Sequence, residues 1–230
     1  MFVSSSIKAF QQQEVDMKRE DRTRPDTDRE HPFWERREMV VGVDEAGRGA
    51  LAGPVVAAAV VLHPDRVLER VRDSKLVREP ERERLFHHIC ESAVEVSIGV
   101  VEPDVIDDIN ILEATMIAMR QAVDGLSVPY VHVFIDGNRY TGGGEFAWTT
   151  VVDGDAKVMS IAAASIIAKV TRDRMMAEHG GAFPGYGFEV HKGYGTKRHY
   201  EAIMTLGVSD IHRRTFLKGR LADGDVMNPV

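Results

Sequence analysis

The sequence predicts an α/β fold: a mixed five-stranded sheet with helices on its faces. Three observations carry this. Two apolar runs rich in β-branched residues open the globular part, joined by a connection short enough for an antiparallel pair. Alternating strand-like and helix-like segments follow, which requires covered sheet faces. The 230 residues are 43% hydrophobic, enough to bury a sizeable core.

The first strand starts at Met39 and runs through Val40-Val41-Gly42-Val43 to Asp44, with Glu45 next. A loop over residues 47–53 sets Arg48 between Gly47 and Gly49. The second strand, residues 55–62, is apolar throughout and ends at His63-Pro64. Asp73-Ser74-Lys75 reads as a loop. Residues 80–92 read as an amphipathic helix with Leu85, Phe86 and Ile89 inward, and residues 94–101 as the third strand. Pro103 opens one long helix to about residue 123, with Ile106, Ile109, Leu112, Met116 and Met119 at helical spacing. The fourth strand, residues 130–136, again closes on an acid, Asp136, with Gly137 after it. Residues 148–152 form the fifth strand. An Ala-rich helix runs from about residue 155 to residue 179, where Gly180-Gly181 stops it. A glycine-rich loop leads to a helix capped by Thr196 and ending at Leu206, then to a basic segment.

Composition narrows the function classes. A single cysteine, Cys90, excludes an intrachain disulfide framework and fits a reducing compartment. No segment reads as a signal peptide and no run approaches the roughly 18 apolar residues of a membrane helix. A cytoplasmic, soluble chain, most simply a monomer with no membrane contact, is the expectation. The net charge of -7 alone argues against a nucleic-acid partner. Residues 183–221, however, hold seven Lys/Arg against three acids, a basic surface on an acidic protein. Residues 1–38 are nearly half charged and lack periodicity, which predicts a flexible polar extension.

Asp44 and Asp136 end strands one and four, so their carboxylates meet if those strands are neighbours. Asp44 and Glu45 repel each other and need a cation, a proton or exposure. Ser165, Lys169 and Asp173 stand at i, i+4 and i+8, a polar stripe on an otherwise apolar helix. Each acid alone also fits a local role as a turn residue, an Asx cap or an i,i+4 ion pair. If they converge, four oxygen ligands select Mg²⁺ or Mn²⁺ rather than zinc. Two such ions suit in-line phosphoryl displacement. A dinucleotide loop is the rival reading of residues 47–53, but its third glycine comes one residue late and two carboxylates precede it.

The stretch Gly42-Val43-Asp44-Glu45-Ala46-Gly47-Arg48-Gly49, with Leu51-Ala52-Gly53-Pro54-Val55-Val56, closely resembles the signature of type 2 ribonucleases H, the ribonuclease HII family. The resemblance continues at Asp73-Ser74-Lys75-Leu76, Asn110-Ile111-Leu112-Glu113, Ile135-Asp136-Gly137-Asn138, residues 160–173, residues 191–197 and His212-Arg213-Arg214-Thr215-Phe216. It implies a ribonuclease H-like fold with a helical C-terminal extension. It implies an endonuclease for the RNA strand of RNA–DNA hybrids that also incises 5′ of single ribonucleotides embedded in duplex DNA, leaving 3′-hydroxyl and 5′-phosphate ends with two ions, Mn²⁺ or Mg²⁺.

By the same resemblance, Asp44, Glu45, Asp136 and Asp173 are the catalytic and metal-holding acids. Gly47, Arg48 and Gly49 approach the ribose 2′-hydroxyl and flanking phosphate, and Tyr194 reads the junction. Lys75, Ser165, Lys169, Lys192, Lys197, Arg213 and Arg214 complete the expected substrate contacts. His191 and His212 are expected as local hydrogen-bonding residues. The 2′-hydroxyl is what distinguishes RNA from DNA at one position, and glycines let a backbone come close to it. Asp153 stands where many relatives carry lysine, and Ala50 where many carry proline. The organisation expected is an extension over 1–38, a catalytic core over 39–181 and a basic extension with the junction-reading loop over 182–230.

Overall fold

The computed structural model describes residues 25–66, 68, 71 and 78–218. Five strands form one sheet: β1 (Val40–Ala46), β2 (Val55–Val61), β3 (Glu95–Val101), β4 (His132–Asp136) and β5 (Ala147–Val151), in the order β3-β2-β1-β4-β5. β1 pairs antiparallel with β2, and β2 with β3, while β1–β4 and β4–β5 are parallel. The sheet is therefore mixed, as expected.

Side-chain alternation along the strands divides the core. Val41, Val43, Ala57, Ala59, Val133 and Ile135 pack with helices α3 (Pro103–Ile109) and α4 (Ile111–Asp124). Ala46, Ala58 and Val60 face α2 (Glu79–Ser92) and the long α5 (Met159–Ala182). Covered on both faces, β2 is apolar and buried along its whole length. Gly42 lets α5 approach: a Cβ there would lie 2.1 Å from the Ser160 carbonyl carbon.

Three expectations change. The single helix from Pro103 is two, broken at Asn110 (φ 74°), whose side-chain oxygen accepts from Leu112 N and Glu113 N and so caps α4. The Ala-rich helix begins at Met159, after a 3₁₀ turn at Gly154–Ala156, and runs through Gly180-Gly181 to Ala182. Helix-interior glycine costs about 1 kcal/mol, yet a Cβ at Gly180 would lie 2.9 Å from Glu189 Cβ and 3.0 Å from its backbone N, so a side chain there would be crowded.

The third change is at the N-terminus. The flexible extension expected over 1–38 is docked from Asp26 onward; residues 1–24 lie outside the described residues. Asp26 bridges Val158, α1 (His31–Trp34) follows, and the buried Glu30 carboxylate accepts from Ser160 N at 2.8 Å. That distant acid serves the first turn of α5, whose own N-cap residue Val158 supplies no side-chain bond. The C-terminal part is helical as expected, with α6 (Phe188–His191), α7 (Lys197–Leu206) and α8 (Arg214–Leu217). Among the described residues no helix is long and apolar enough to cross a membrane.

Candidate active site

Asp136 ends β4, but β1 runs two residues past Asp44 to Ala46, so Asp44 lies inside its strand and not at its end as expected; both acids stand one residue beyond the paired Val43 and Ile135 of these neighbouring parallel strands. Both follow the parity of Phe134 and Gly42, so both face α5. α5 brings Ser165 to Asp44, and Lys169 and Asp173 follow it one and two turns on along the same helical stripe. The sheet and helix thus deliver the acids from three elements.

Asp44 is buried at 5% exposure. Its Oδ1 accepts from Glu45 N at 2.7 Å, and the Ser165 side chain also hydrogen-bonds it. Burial first, then the charges of Glu45 and Asp136, push its carboxyl well above the usual range. Glu45 is raised by burial, a shift opposed by Arg48, whose Nη1 lies 3.2 Å from Glu45 Oε1. Asp136 Oδ1 accepts from Gly154 N at 2.7 Å. Lys169 Nζ donates to Asp173 Oδ1 at 2.7 Å, the local i,i+4 pair that the spacing also allowed. Because these acids are engaged separately, no three acid, histidine or cysteine side chains among the described residues are already arranged as a metal cage. The donor set still suits a hard cation: it is all oxygen, and the charges of Glu45 and Asp136 bear on the buried Asp44 carboxylate.

The loop after Glu45 has two unlike glycines. Gly47 is at φ 95°, and a Cβ there would sit 2.0 Å from Arg172 Nε, so glycine is required by backbone and by packing. A Cβ at Gly49 would meet nothing within 4 Å, so its outer side is open backbone. The Arg48 side chain is half exposed. Ala50, at the position where proline was the alternative, is fully buried and its carbonyl accepts from Arg213.

Tyr194 is 36% exposed, in a loop rather than the core. Lys169 Nζ lies 5.6 Å and the Arg172 guanidinium carbon 5.4 Å from its ring centre. Leu51 N donates to Gly193 O at 2.8 Å, so the loop bearing residues 47–49 touches the loop bearing Tyr194. Behind it, His191, His199 and His212 stack into a chain in which burial keeps His199 and His212 neutral. His199 Nδ1 donates to Tyr194 O, His199 and His212 share a 3.0 Å Nε2–Nε2 bond, and His212 Nδ1 accepts from Ser209. His191 Nε2 donates to Tyr186 O while its Nδ1 accepts from Gly193 N, the local role expected.

The basic residues separate. Lys197 is exposed, 3.6 Å from Glu201. Lys192 is mostly covered and donates to Glu189 O. Arg214 is exposed, its backbone N held by Asp107. Lys75 lies outside the described residues. Arg213, expected at a phosphate, is fully buried and donates to Arg48 O, Ala50 O and Gly53 O. Its Nη2 makes no hydrogen bond among the described residues but is buried as well, so no part of the guanidinium is exposed to a phosphate and the side chain braces the loop instead. Burial, then neighbouring Arg172, lowers its pKa, though it stays cationic at neutral pH. Sequence reasoning missed Arg172, fully buried beside it. The available signal was that position 172 stands seven residues from Ser165 and three from Lys169, on the same side of the helix as the polar stripe, where a buried cation must find acceptors.

The family described as Ribonuclease HII matches residues 41–219. A curated Ribonuclease HII of Bacillus cereus is 52% identical over 177 residues, covering 77% of this chain and 68% of that protein. One of Chloroherpeton thalassium is 48% identical over 191 residues, covering 81% of this chain and 94% of that protein. The crystal structure of the ribonuclease H2 from Pyrococcus horikoshii OT3 is similar at TM-score 0.68 and 29% identity, over 79% of this chain and 95% of that one.

Proposed function

The chain belongs to the ribonuclease HII family of metal-dependent endoribonucleases for RNA–DNA hybrids, and on that premise we propose that it incises duplex DNA 5′ of single embedded ribonucleotides, as well as cutting the RNA strand of hybrids, leaving 3′-hydroxyl and 5′-phosphate ends. The observation that carries this reading is one of adjacency. The chain passes from the buried Asp44 to the open backbone of Gly49 within five residues, and the Tyr194 loop packs on the same segment.

Asp44, Glu45, Asp136 and Asp173 would hold the ions, Mg²⁺ or Mn²⁺, two during catalysis. When bound, such cations supply Lewis acidity to the reacting phosphate and a hydrolytic nucleophile at neutral pH. Arg48 and Lys169, now paired with Glu45 and Asp173, are the side chains freed to face a phosphate once those acids are neutralised. Gly47, Arg48 and Gly49 present backbone to the 2′-hydroxyl, and Tyr194 packs on the sugar of the junction. Ser165 holds Asp44, while Lys192, Lys197 and Arg214 extend the basic surface along the duplex, which makes binding salt-dependent. Residues 39–181 act as the catalytic core and 182–230 as the substrate-reading extension.

The test is direct. The protein is incubated with a duplex holding one ribonucleotide in Mg²⁺, Mn²⁺ or chelator. Cutting with either metal and none in chelator is expected; uncut substrate under every metal condition defeats the reading.

A further inference from the structure

Arg172 is fully buried, and its guanidinium donates to backbone carbonyls of two loops. Nε donates to Pro54 O at 2.9 Å and Nη2 to Ala52 O at 3.0 Å, both in the segment that follows Gly47-Arg48-Gly49. Nη1 donates to Lys192 O at 2.9 Å, two residues before Tyr194. The guanidinium also lies 5.4 Å from the Tyr194 ring centre, and it is the group against which Gly47 packs. In sequence it adjoins Asp173. A buried charge is costly unless its geometry is well satisfied, and a planar fork reaching two loops at once is a geometry that lysine cannot reproduce.

We propose that Arg172 is a positioning residue for ribose recognition. Resting on the activity proposed above, it fixes the spacing between the loop of residues 47–54 and the loop carrying Tyr194, and ties both to the helix that carries Asp173. Arg213 completes the brace from below through Arg48 O, Ala50 O and Gly53 O. The two loops meet with no slack, since a Cβ on Gly193 (φ 80°) would lie 2.4 Å from Ala52 O. Arg172 itself touches no substrate. Its consequence is selective: a junction that must be read by both loops at once depends on their spacing, whereas cutting within a long hybrid depends on it less.

The full chain is assayed on two substrates, a DNA duplex with one ribonucleotide and an uninterrupted RNA–DNA hybrid, with kcat and KM measured separately. Arg172→Lys is expected to lower kcat/KM on the single-ribonucleotide duplex by ~10–100-fold more than on the hybrid, the scale of an ångström-sized misplacement. Gly193→Ala, which wedges the loops apart with Arg172 intact, is expected to give the same skew, and it decides the matter if Arg172→Lys does not fold. In a Tyr194→Ala background the skew is expected to vanish. An equal loss on both substrates, or a skew that survives Tyr194→Ala in full, overturns the inference. If wild type cuts neither substrate, the activity reading falls and takes the inference with it; if wild type cuts both and the variants keep its ratio, only the inference falls.

Discussion

Asp44, within β1, and Asp136, at the end of β4, lie on the same face of the sheet in adjacent parallel strands, and the charge of Asp136 adds to the burial and the Glu45 charge that push the Asp44 carboxyl up. With no cation bound the site is therefore a local liability. Asp44→Asn is expected to raise the melting temperature in chelator at pH 7, because a carboxyl whose folded pKa is raised favours the folded state when protonated and opposes it at higher pH. Mg²⁺ or Mn²⁺ is expected to stabilise wild type and to do so less for the variant. Calorimetric melting with and without metal checks both. An unchanged melting temperature in chelator would remove the repulsion argument.

Asp136→Asn is expected to abolish cleavage while leaving hybrid binding within a few-fold of wild type. Asparagine keeps an acceptor for Gly154 N but loses the charge that holds a cation. Cleavage and filter-binding assays on one preparation separate the two effects. Retained cleavage would take Asp136 out of the site.

Gly49→Ala is expected to leave the melting temperature unchanged, since the added methyl meets no protein atom. It is expected to lower single-ribonucleotide cleavage by ~100-fold, because the methyl occupies the space a ribose must enter. Full activity with an unchanged fold would mean that the substrate does not approach that backbone.

Much of this was legible beforehand, for physical reasons. β1 and β2 are buried on both faces, so their apolar runs were unambiguous, and Asp136 marked the end of β4; Asp44 did not mark the end of β1, because pairing with β2 carries that strand on to Ala46. What failed to show depends on tertiary context. Asn110 breaks a continuous helical pattern with a positive φ that asparagine tolerates. Gly180-Gly181 looks like a stop, but the helix runs through both to Ala182, and Gly180 lies close against Glu189. Glu30 reads as one more charge in a polar extension until it meets Ser160 N across 130 positions. Arg213 sits in a basic stretch and is indistinguishable in sequence from the exposed Arg214; only the fold reveals the carbonyls it serves.

Glu30→Ala is expected to cost about 1–2 kcal/mol, the usual scale for losing a helix cap, and to lower the melting temperature by several degrees. Activity per folded molecule stays near wild type, because Glu30 acts on the start of α5, five residues before Ser165. Denaturant melts combined with turnover measurements check this. A variant as stable as wild type would show that Glu30 does not serve as the cap.

Acid is expected to loosen the Tyr194 support. The folded pKa is about 4 for His199 and about 3 for His212, against an ordinary 6.5, with burial the main cause. Each ring nitrogen already has one assigned partner, so a second proton would set donor against donor. The unfolded chain takes up protons first, and this contribution to stability falls as pH drops from about 6.5 towards 4. Melting temperatures across that window, in wild type and His212→Asn, are expected to show a steeper fall in wild type; parallel curves would rule the histidine chain out as the cause.

The central claim is that the acids at Asp44 and Asp136 cut only where the adjoining loop meets a ribose. Two duplexes identical but for one 2′-hydroxyl test it most directly, incubated with Mn²⁺ and mapped at nucleotide resolution. The expected result is a single cut 5′ of the ribonucleotide, with 3′-hydroxyl and 5′-phosphate ends, and none in the all-DNA duplex. Equal cutting of both duplexes, or a cut placed without regard to the ribonucleotide, would contradict the account.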